Sequence, residues 1–152
     1  MICHIDYIGE LDCKQTCFKL NRILPPDVSC INIEEVDIKL HARFSATSRT
    51  YRYFIHTKKI PFSRHYSVEI SYPLNFEAMN EAAAYLLNVS DFKAFCKAGA
   101  DNKTTLCQVT TAKWVKQDDE NWYFEITANR FLRNMVRAVV GTLIDVGRNR
   151  LS

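Results

Sequence analysis

The chain is organised around residues 131–147, FLRNMVRAVVGTLIDVG. Apolar residues recur in this stretch at the spacing of one helical face, which predicts a single helix over 131–147. They are Leu132, Met135, Val136, Val139, Val140, Leu143 and Val146. Gly147 is predicted to end this helix, because glycine enters the left-handed conformation without strain.

The opposite face of the predicted helix is polar and basic. It carries Arg133, Asn134, Arg137 and Gly141. Arg133 and Arg137 are four residues apart, so a helix would place their guanidinium groups one turn apart. Taken alone, this pattern favours a core helix with a solvated basic face.

The composition is that of one globular domain. The chain has 152 residues, 47% of them hydrophobic, with only four glycines and four prolines, which excludes a low-complexity protein. It contains no apolar run of about 18 residues and no secretory signal pattern at residues 1–6, so we expect a cytoplasmic location. Cys13 and Cys17 lie four residues apart near His4, but no second ligand pair matches them. We therefore expect free thiols and no metal site.

Basic residues are concentrated in two stretches. Between Asp37 and Glu69 there are seven basic residues and no acidic one, and residues 126–152 hold five arginines and one acid, Asp145. Such a surface attracts polyanions. Aromatic residues interleave with the first stretch, which suits unstacked bases, although a strand with aromatics facing the core explains that segment equally well.

Local patterns predict an α+β fold. Strands are expected over residues 1–8, 28–33, 48–58 and 67–71, with a hairpin over 104–116 and 121–128 that turns at 118–120. Helices are expected over 13–24, capped by Asp12, and 76–87, capped by Asn75, with a helical turn over 91–95 capped by Ser90 and a polar loop over 98–103. Together these predict an antiparallel sheet with helices on one face.

Two long motifs resemble those of the TruA family of tRNA pseudouridine synthases. They are LHARFSATSRTYRY at residues 40–53 and NRFLRNMVRAVVGTL at residues 129–143, and DFKAF at 91–95 matches a block between them. The resemblance covers the later part of a family member. It implies the pseudouridine synthase fold, a mainly antiparallel mixed sheet with helices on one face, built from two ferredoxin-like halves. Residues 1–37 would be the tail of the first α/β half, and 38–152 the second half truncated at its C-terminus.

The resemblance implies an isomerase. Family members convert uridines at positions 38 to 40, in the anticodon arm of tRNA, to pseudouridine after flipping the nucleotide out of the stem. They use no metal or organic cofactor and work as homodimers. Their nucleophilic aspartate lies in a Gly-Arg-Thr-Asp loop that these 152 residues do not contain. We therefore expect this chain to be inactive alone.

The resemblance also implies site residues. Tyr51 matches the active-site tyrosine that stacks on the flipped base, and Arg137 matches the basic residue that pairs with the catalytic aspartate. A softer prediction is that further arginines contact RNA phosphates. These are Arg43, Arg49, Arg52, Arg130 and Arg133. Two alternatives remain: an RNA-binding module that has lost catalysis, and an interaction domain whose basic stretches are merely solvated.

Overall fold

The computed structural model describes residues 2–99 and 103–151. The chain divides into two compact units, Met1–Ala46 and Thr47–Ser152. The helices are α1 (Cys13–Ile23), α2 (Phe76–Tyr85) and α3 (Met135–Gly147), and the strands are β1 (Arg49–His56), β2 (Val68–Glu69), β3 (Val109–Lys116) and β4 (Asn121–Ala128). Short 3-10 turns lie at Pro61–Ser63, Leu86–Asn88 and Lys93–Phe95. The predicted loop over 98–103 lies partly outside the described residues, which omit 100–102.

The second unit holds a four-stranded sheet in the order β2-β1-β4-β3. β1 pairs with β2 in parallel, whereas the pairs β1–β4 and β3–β4 are antiparallel. This confirms the predicted α+β class and the mainly antiparallel mixed sheet. The assignment of residues 1–37 and 38–152 to two halves of a larger fold stays a prediction.

The core lies on the face of the sheet that α2 and α3 cover. Phe124 and Ile126 of β4 are fully buried, as is Met79 of α2, and Val139 and Val140 of α3 are almost completely so. The alternation along β4, which buries every second residue, explains why one face of the sheet is apolar. Burial of these side chains, at about 25 cal/mol per Å2 of apolar surface, is what holds α3 in place.

The first unit confirms one prediction and overturns two. Asp12 caps α1 as expected, since the Gln15 N–H donates to Asp12 Oδ1 at 2.9 Å. The strands predicted over 1–8 and 28–33 are wrong, because none of residues 2–8 or 28–33 belongs to a strand. Ile8 and Ile31 are 100% and 95% exposed. A strand is stable only beside a pairing neighbour, which the local pattern could not supply.

The helix predicted over 131–147 begins later than predicted. α3 starts at Met135, and Asn134 before it has a left-handed backbone with φ 70°. The Met135 N–H donates to the Leu132 carbonyl at 3.2 Å, so residues 131–134 form a tight turn instead of a helical one. Asn is among the few residues that adopt this conformation readily. Arg133 therefore precedes the helix, and its predicted position one helical turn from Arg137 is wrong.

The role predicted for Gly147 is also wrong. Gly147 is the last residue of α3, and the left-handed residue at this end of the helix is Asn149, with φ 56°. Gly147 is buried against α2, where a Cβ atom would overlap Met79 Sδ and would lie 2.8 Å from Met79 Cγ. A glycine is needed here for close packing of the two helices, not for its backbone freedom.

The two glycines of α3 give a matched prediction about stability. Gly147→Ala is expected to lower the free energy of unfolding by about 1–2 kcal/mol, because overpacking a buried contact outweighs the gain in helix propensity. Gly141→Ala is expected to raise it by about 0.5–1 kcal/mol, because alanine favours a helix interior and nothing lies within 4 Å of the added Cβ. Urea unfolding measures both. Equal shifts for the two variants would contradict the packing explanation.

Candidate active site

A pocket lies where β1 meets the start of α3, within the second unit. Its volume is about 550 Å3, within the range of small-molecule sites. It is lined by Tyr51, Arg52, Tyr53, Lys97, Phe131, Leu132, Arg133, Asn134, Met135, Val136 and Arg137. We call it the α3 pocket.

Tyr51 contributes an aromatic wall to the α3 pocket. It lies opposite Ile126 in the β1–β4 ladder, and its side chain is 47% exposed. Its ring meets Phe131 edge to face, with 5.0 Å between the centroids. Among the described residues, its hydroxyl has no hydrogen-bond partner. Tyr51 therefore presents both an aromatic surface and a free hydroxyl to a ligand.

Arg137 contributes a positive charge to the same pocket. It lies in the first turn of α3 and is exposed. It forms no ion pair with any residue that the structure describes. The side chain of Asn134 makes no capping hydrogen bond, so the positive end of the helix dipole adds to the charge of Arg137. This end of α3 attracts an anion.

The convergence of Tyr51 and Arg137 follows from the sheet. β1 pairs along its whole length with β4, and the tight turn after β4 leads directly into α3. Two residues from distant motifs consequently line one pocket. The chemical roles that the resemblance implies for them stay predictions.

Two of the predicted RNA-binding arginines also line the α3 pocket. Arg133 is exposed and lies in the turn before α3. Arg52 is already engaged, because its Nε donates to Glu125 Oε2 at 2.8 Å and its guanidinium lies 5.1 Å from the centre of the Tyr123 ring. The hydrogen bond from Arg52 to the Glu125 carboxylate raises the pKa of Arg52 above its usual value. Arg52 is thus less available to a phosphate than Arg133.

The other three predicted arginines lie elsewhere. Arg43 belongs to the first unit, where its guanidinium lies 5.6 Å from the centre of the Phe44 ring. Arg49 begins β1, and Arg130 follows β4, without lining the α3 pocket. Arg130 acts electrostatically on Cys107, whose pKa is raised by burial and lowered in part by that arginine. Phosphate contacts by these three arginines stay predictions.

Sequence reasoning missed one charged pocket residue, Lys97. It follows the DFKAF block, and no periodicity singles it out, since it lies in a polar connector. Its backbone N–H donates to the Arg133 carbonyl at 3.0 Å, which brings it to the pocket. The available signal was its place two residues after a block that resembles the family.

Among the residues that the structure describes, no acidic side chain lines the α3 pocket. Asp91, and not Ser90 as predicted, accepts at the start of the 3-10 turn, from the Lys93 N–H at 3.0 Å. Hydrogen bonds from Thr105 and from this N–H lower the pKa of Asp91. Asp145 lies at the other end of α3, where its carboxylate is 3.7 Å from Arg150. Neither aspartate is placed to act on a ligand in the pocket.

In residues 2–99 and 103–151, no three His, Cys, Asp or Glu side chains are grouped so that they could hold a metal ion. None of the helices in the same residues is long and apolar enough to span a membrane.

Comparison with known proteins gives consistent results. Residues 82–152 match the family described as tRNA pseudouridine synthase. The tRNA pseudouridine synthase A of Bacteroides fragilis is 51% identical over all of this chain and 61% of its own length. The protein of the same name from Bacteroides thetaiotaomicron is 47% identical over 100% of this chain and 57% of its own length. The one from Bacillus subtilis is 37% identical over 99% of this chain and 62% of its own length.

The similarity includes both motifs that supply the α3 pocket. The chain spans about three fifths of the length of the curated relatives it matches. The matched family covers β3, β4 and α3, and the relatives extend the match through β1 to the start of the chain. Over its whole length, this chain is therefore similar to part of these tRNA pseudouridine synthases.

Proposed function

We propose that this chain supplies the base-binding and arginine-bearing part of a tRNA pseudouridine synthase. The observation that carries the proposal is the α3 pocket, where Tyr51 and Arg137 converge and no acid of the described residues lies in the lining. Because a fold alone does not define a function, this site matters more than the sheet around it.

The proposed chemistry assigns each group one task. The ring of Tyr51 stacks on a uracil flipped out of its stem. Arg137 orients a catalytic carboxylate and keeps it ionised, through two parallel hydrogen bonds and its charge. That carboxylate comes from the two fifths of a family member that this chain does not span. Its attack leads to cleavage of the glycosidic bond from the sugar to uracil N1. The uracil turns and bonds to the sugar through C5, which frees the carboxylate; the C5 proton is then lost to solvent and N1 takes up a proton.

The proposed substrate is tRNA, and its anticodon stem-loop is the part that reaches the pocket. The basic residues of the α3 pocket support this, since phosphate contacts provide most of the affinity for a nucleic acid. In the whole enzyme we further propose a homodimer, with residues 38–152 as most of the second half of each subunit, located in the cytoplasm with its substrate.

A chimera tests the proposed activity. In it the 152 residues replace the matching segment of the Bacteroides fragilis relative, which supplies the remaining two fifths. We expect this chimera to release tritium from uracil-labelled tRNA, because forming the carbon–carbon bond displaces the label. The 152-residue chain alone is expected to release none. Turnover by the chain alone would contradict the assignment of the nucleophile to the missing loop.

The same experiment separates the alternatives. A chimera that folds and binds the stem-loop but releases no tritium would favour the RNA-binding module. A chain that gives no gel shift with the stem-loop even at low salt would favour the interaction domain, because polyanion binding is strongest there. The catalytic interpretation is supported by Arg137, which lines the pocket and has no ion pair among the described residues, so that it can accept a carboxylate.

A further inference from the structure

Lys97 is a positive group of the α3 pocket to which neither motif assigns a role. It lies two residues after the 3-10 turn Lys93–Phe95, and its side chain is exposed. The side chain of Lys97 has no hydrogen bond or ion pair with the described part of the chain. It is therefore available to a ligand in the pocket.

The backbone that leads to Lys97 is anchored at two points, Phe92 and Lys97 itself. Phe92 is completely buried in the core, and its N–H donates to the Thr105 carbonyl at 3.1 Å. The N–H of Lys97 itself donates to the Arg133 carbonyl at 3.0 Å. This hydrogen bond ties the backbone that carries Lys97 to the tight turn that carries Arg133. The two cations are thus placed together by the fold and not by their separation in sequence.

Within residues 2–99 and 103–151, the charge of the pocket is uncompensated. Four cations of these residues line it and no acid of these residues does, and Arg52 is the one of the four with an ion pair there, to Glu125. Lys97, Arg133 and Arg137 form no ion pairs among the described residues. If Arg137 holds a catalytic carboxylate, Lys97 and Arg133 still lack an anion. A nucleotide can supply one, because its phosphate is covalently linked to the base that stacks on Tyr51.

We propose that Lys97 and Arg133 together hold the phosphate next to the nucleotide bound in the α3 pocket. Lys97 acts as a point charge and Arg133 as a planar donor, a combination suited to one phosphodiester. Lys97 is then a positioning residue that sets how deeply the flipped nucleotide enters. This inference rests on the proposed function, since it requires RNA in this pocket.

Salt dependence of binding tests the proposal on the full 152-residue chain. The logarithm of the affinity for an anticodon stem-loop falls linearly with the logarithm of the salt concentration, with a slope of about 0.7 to 0.9 per neutralised phosphate. Lys97→Ala is expected to make that slope shallower by about 0.7 to 0.9. Lys97→Arg is expected to restore it. Lys93→Ala, the matched control four residues away, is expected to leave it unchanged, because Lys93 does not line the pocket.

A neutral methylphosphonate placed at one stem-loop phosphate at a time locates the contact. At the phosphate that Lys97 holds, this replacement should weaken stem-loop binding by the unmodified chain. It should not weaken stem-loop binding by the Lys97→Ala variant any further. Additive losses at every phosphate beside the target uridine would overturn the proposal, as would an unchanged salt slope for Lys97→Ala. In either case the unmodified chain still binds the stem-loop, so the proposed function survives. A chain that binds no stem-loop at low salt overturns both.

Discussion

Arg137→Ala is expected to lower the turnover of the chimera by about 100- to 1,000-fold, the loss measured when one preorganised group that stabilises a transition-state charge is removed. Arg137 is exposed in the first turn of α3 and supports no ion pair among the described residues. The substitution should therefore leave the fold intact and remove only the charge that the proposed carboxylate needs.

The pH profile identifies the cause of this loss. A nearby guanidinium lowers the pKa of a carboxylate, so removal of Arg137 should raise that pKa and shift the acid limb of the profile to higher pH. Arg137→Lys keeps the charge without the planar fork, and it should restore part of the turnover and most of the pH shift. Lys58→Ala is the control, since Lys58 pairs with Glu120 away from the pocket.

Comparable turnover for Arg137→Ala and Lys58→Ala would contradict the site assignment. So would a large loss with no shift of the acid limb, because it would leave Arg137 without a carboxylate to ionise. Arg150→Ala provides a second arginine control, since Arg150 lies beyond the far end of α3. It is expected to change turnover by less than about twofold, as surface ion pairs contribute little.

Tyr51→Ala is expected to lower turnover of the chimera by about 5- to 150-fold, which corresponds to the roughly 1–3 kcal/mol that stacking on one base contributes. Tyr51→Phe keeps the ring and removes the hydroxyl, which has no partner among the described residues. We expect Tyr51→Phe to lower turnover about tenfold, because one hydrogen bond to a bound ligand is lost. Single-turnover assays at saturating tRNA measure both variants.

The control for Tyr51 is Tyr66→Phe, since Tyr66 is 69% exposed and does not line the α3 pocket. Its turnover should equal that of the unmodified chimera. Full activity of Tyr51→Ala would mean that no base stacks on this ring. A loss for Tyr51→Ala but not for Tyr51→Phe would assign the effect to stacking alone.

The parts of the fold that depend on residues close together in sequence were predictable. Asp12 and Asn75 cap α1 and α2 because a side-chain oxygen at the start of a helix accepts a free backbone N–H. β1 and the β3–β4 hairpin follow from alternation of apolar and polar residues. These signals need no knowledge of the rest of the chain.

The parts that depend on distant residues were not predictable. The pattern at 28–33 resembles a strand, but no pairing neighbour lies beside it in the first unit. Gly147 was predicted to end the helix, whereas a glycine is needed there because a Cβ atom would overlap Met79 of α2. In each case the presence or absence of a partner far away in sequence decided the outcome, and one sequence without its fold does not show whether that partner is there.

For the candidate site, the sequence by itself determined the two residue types that matter, an aromatic ring at position 51 and a guanidinium at position 137, through motifs that resemble the TruA family. Only the tertiary structure decided which cations share their pocket. In the fold, Arg52 forms an ion pair with Glu125, and the backbone N–H of Lys97 donates to the carbonyl of Arg133. The physical reason is that residue identity is local chemistry, whereas the distance between charges is set by strand pairing and helix packing across the whole core.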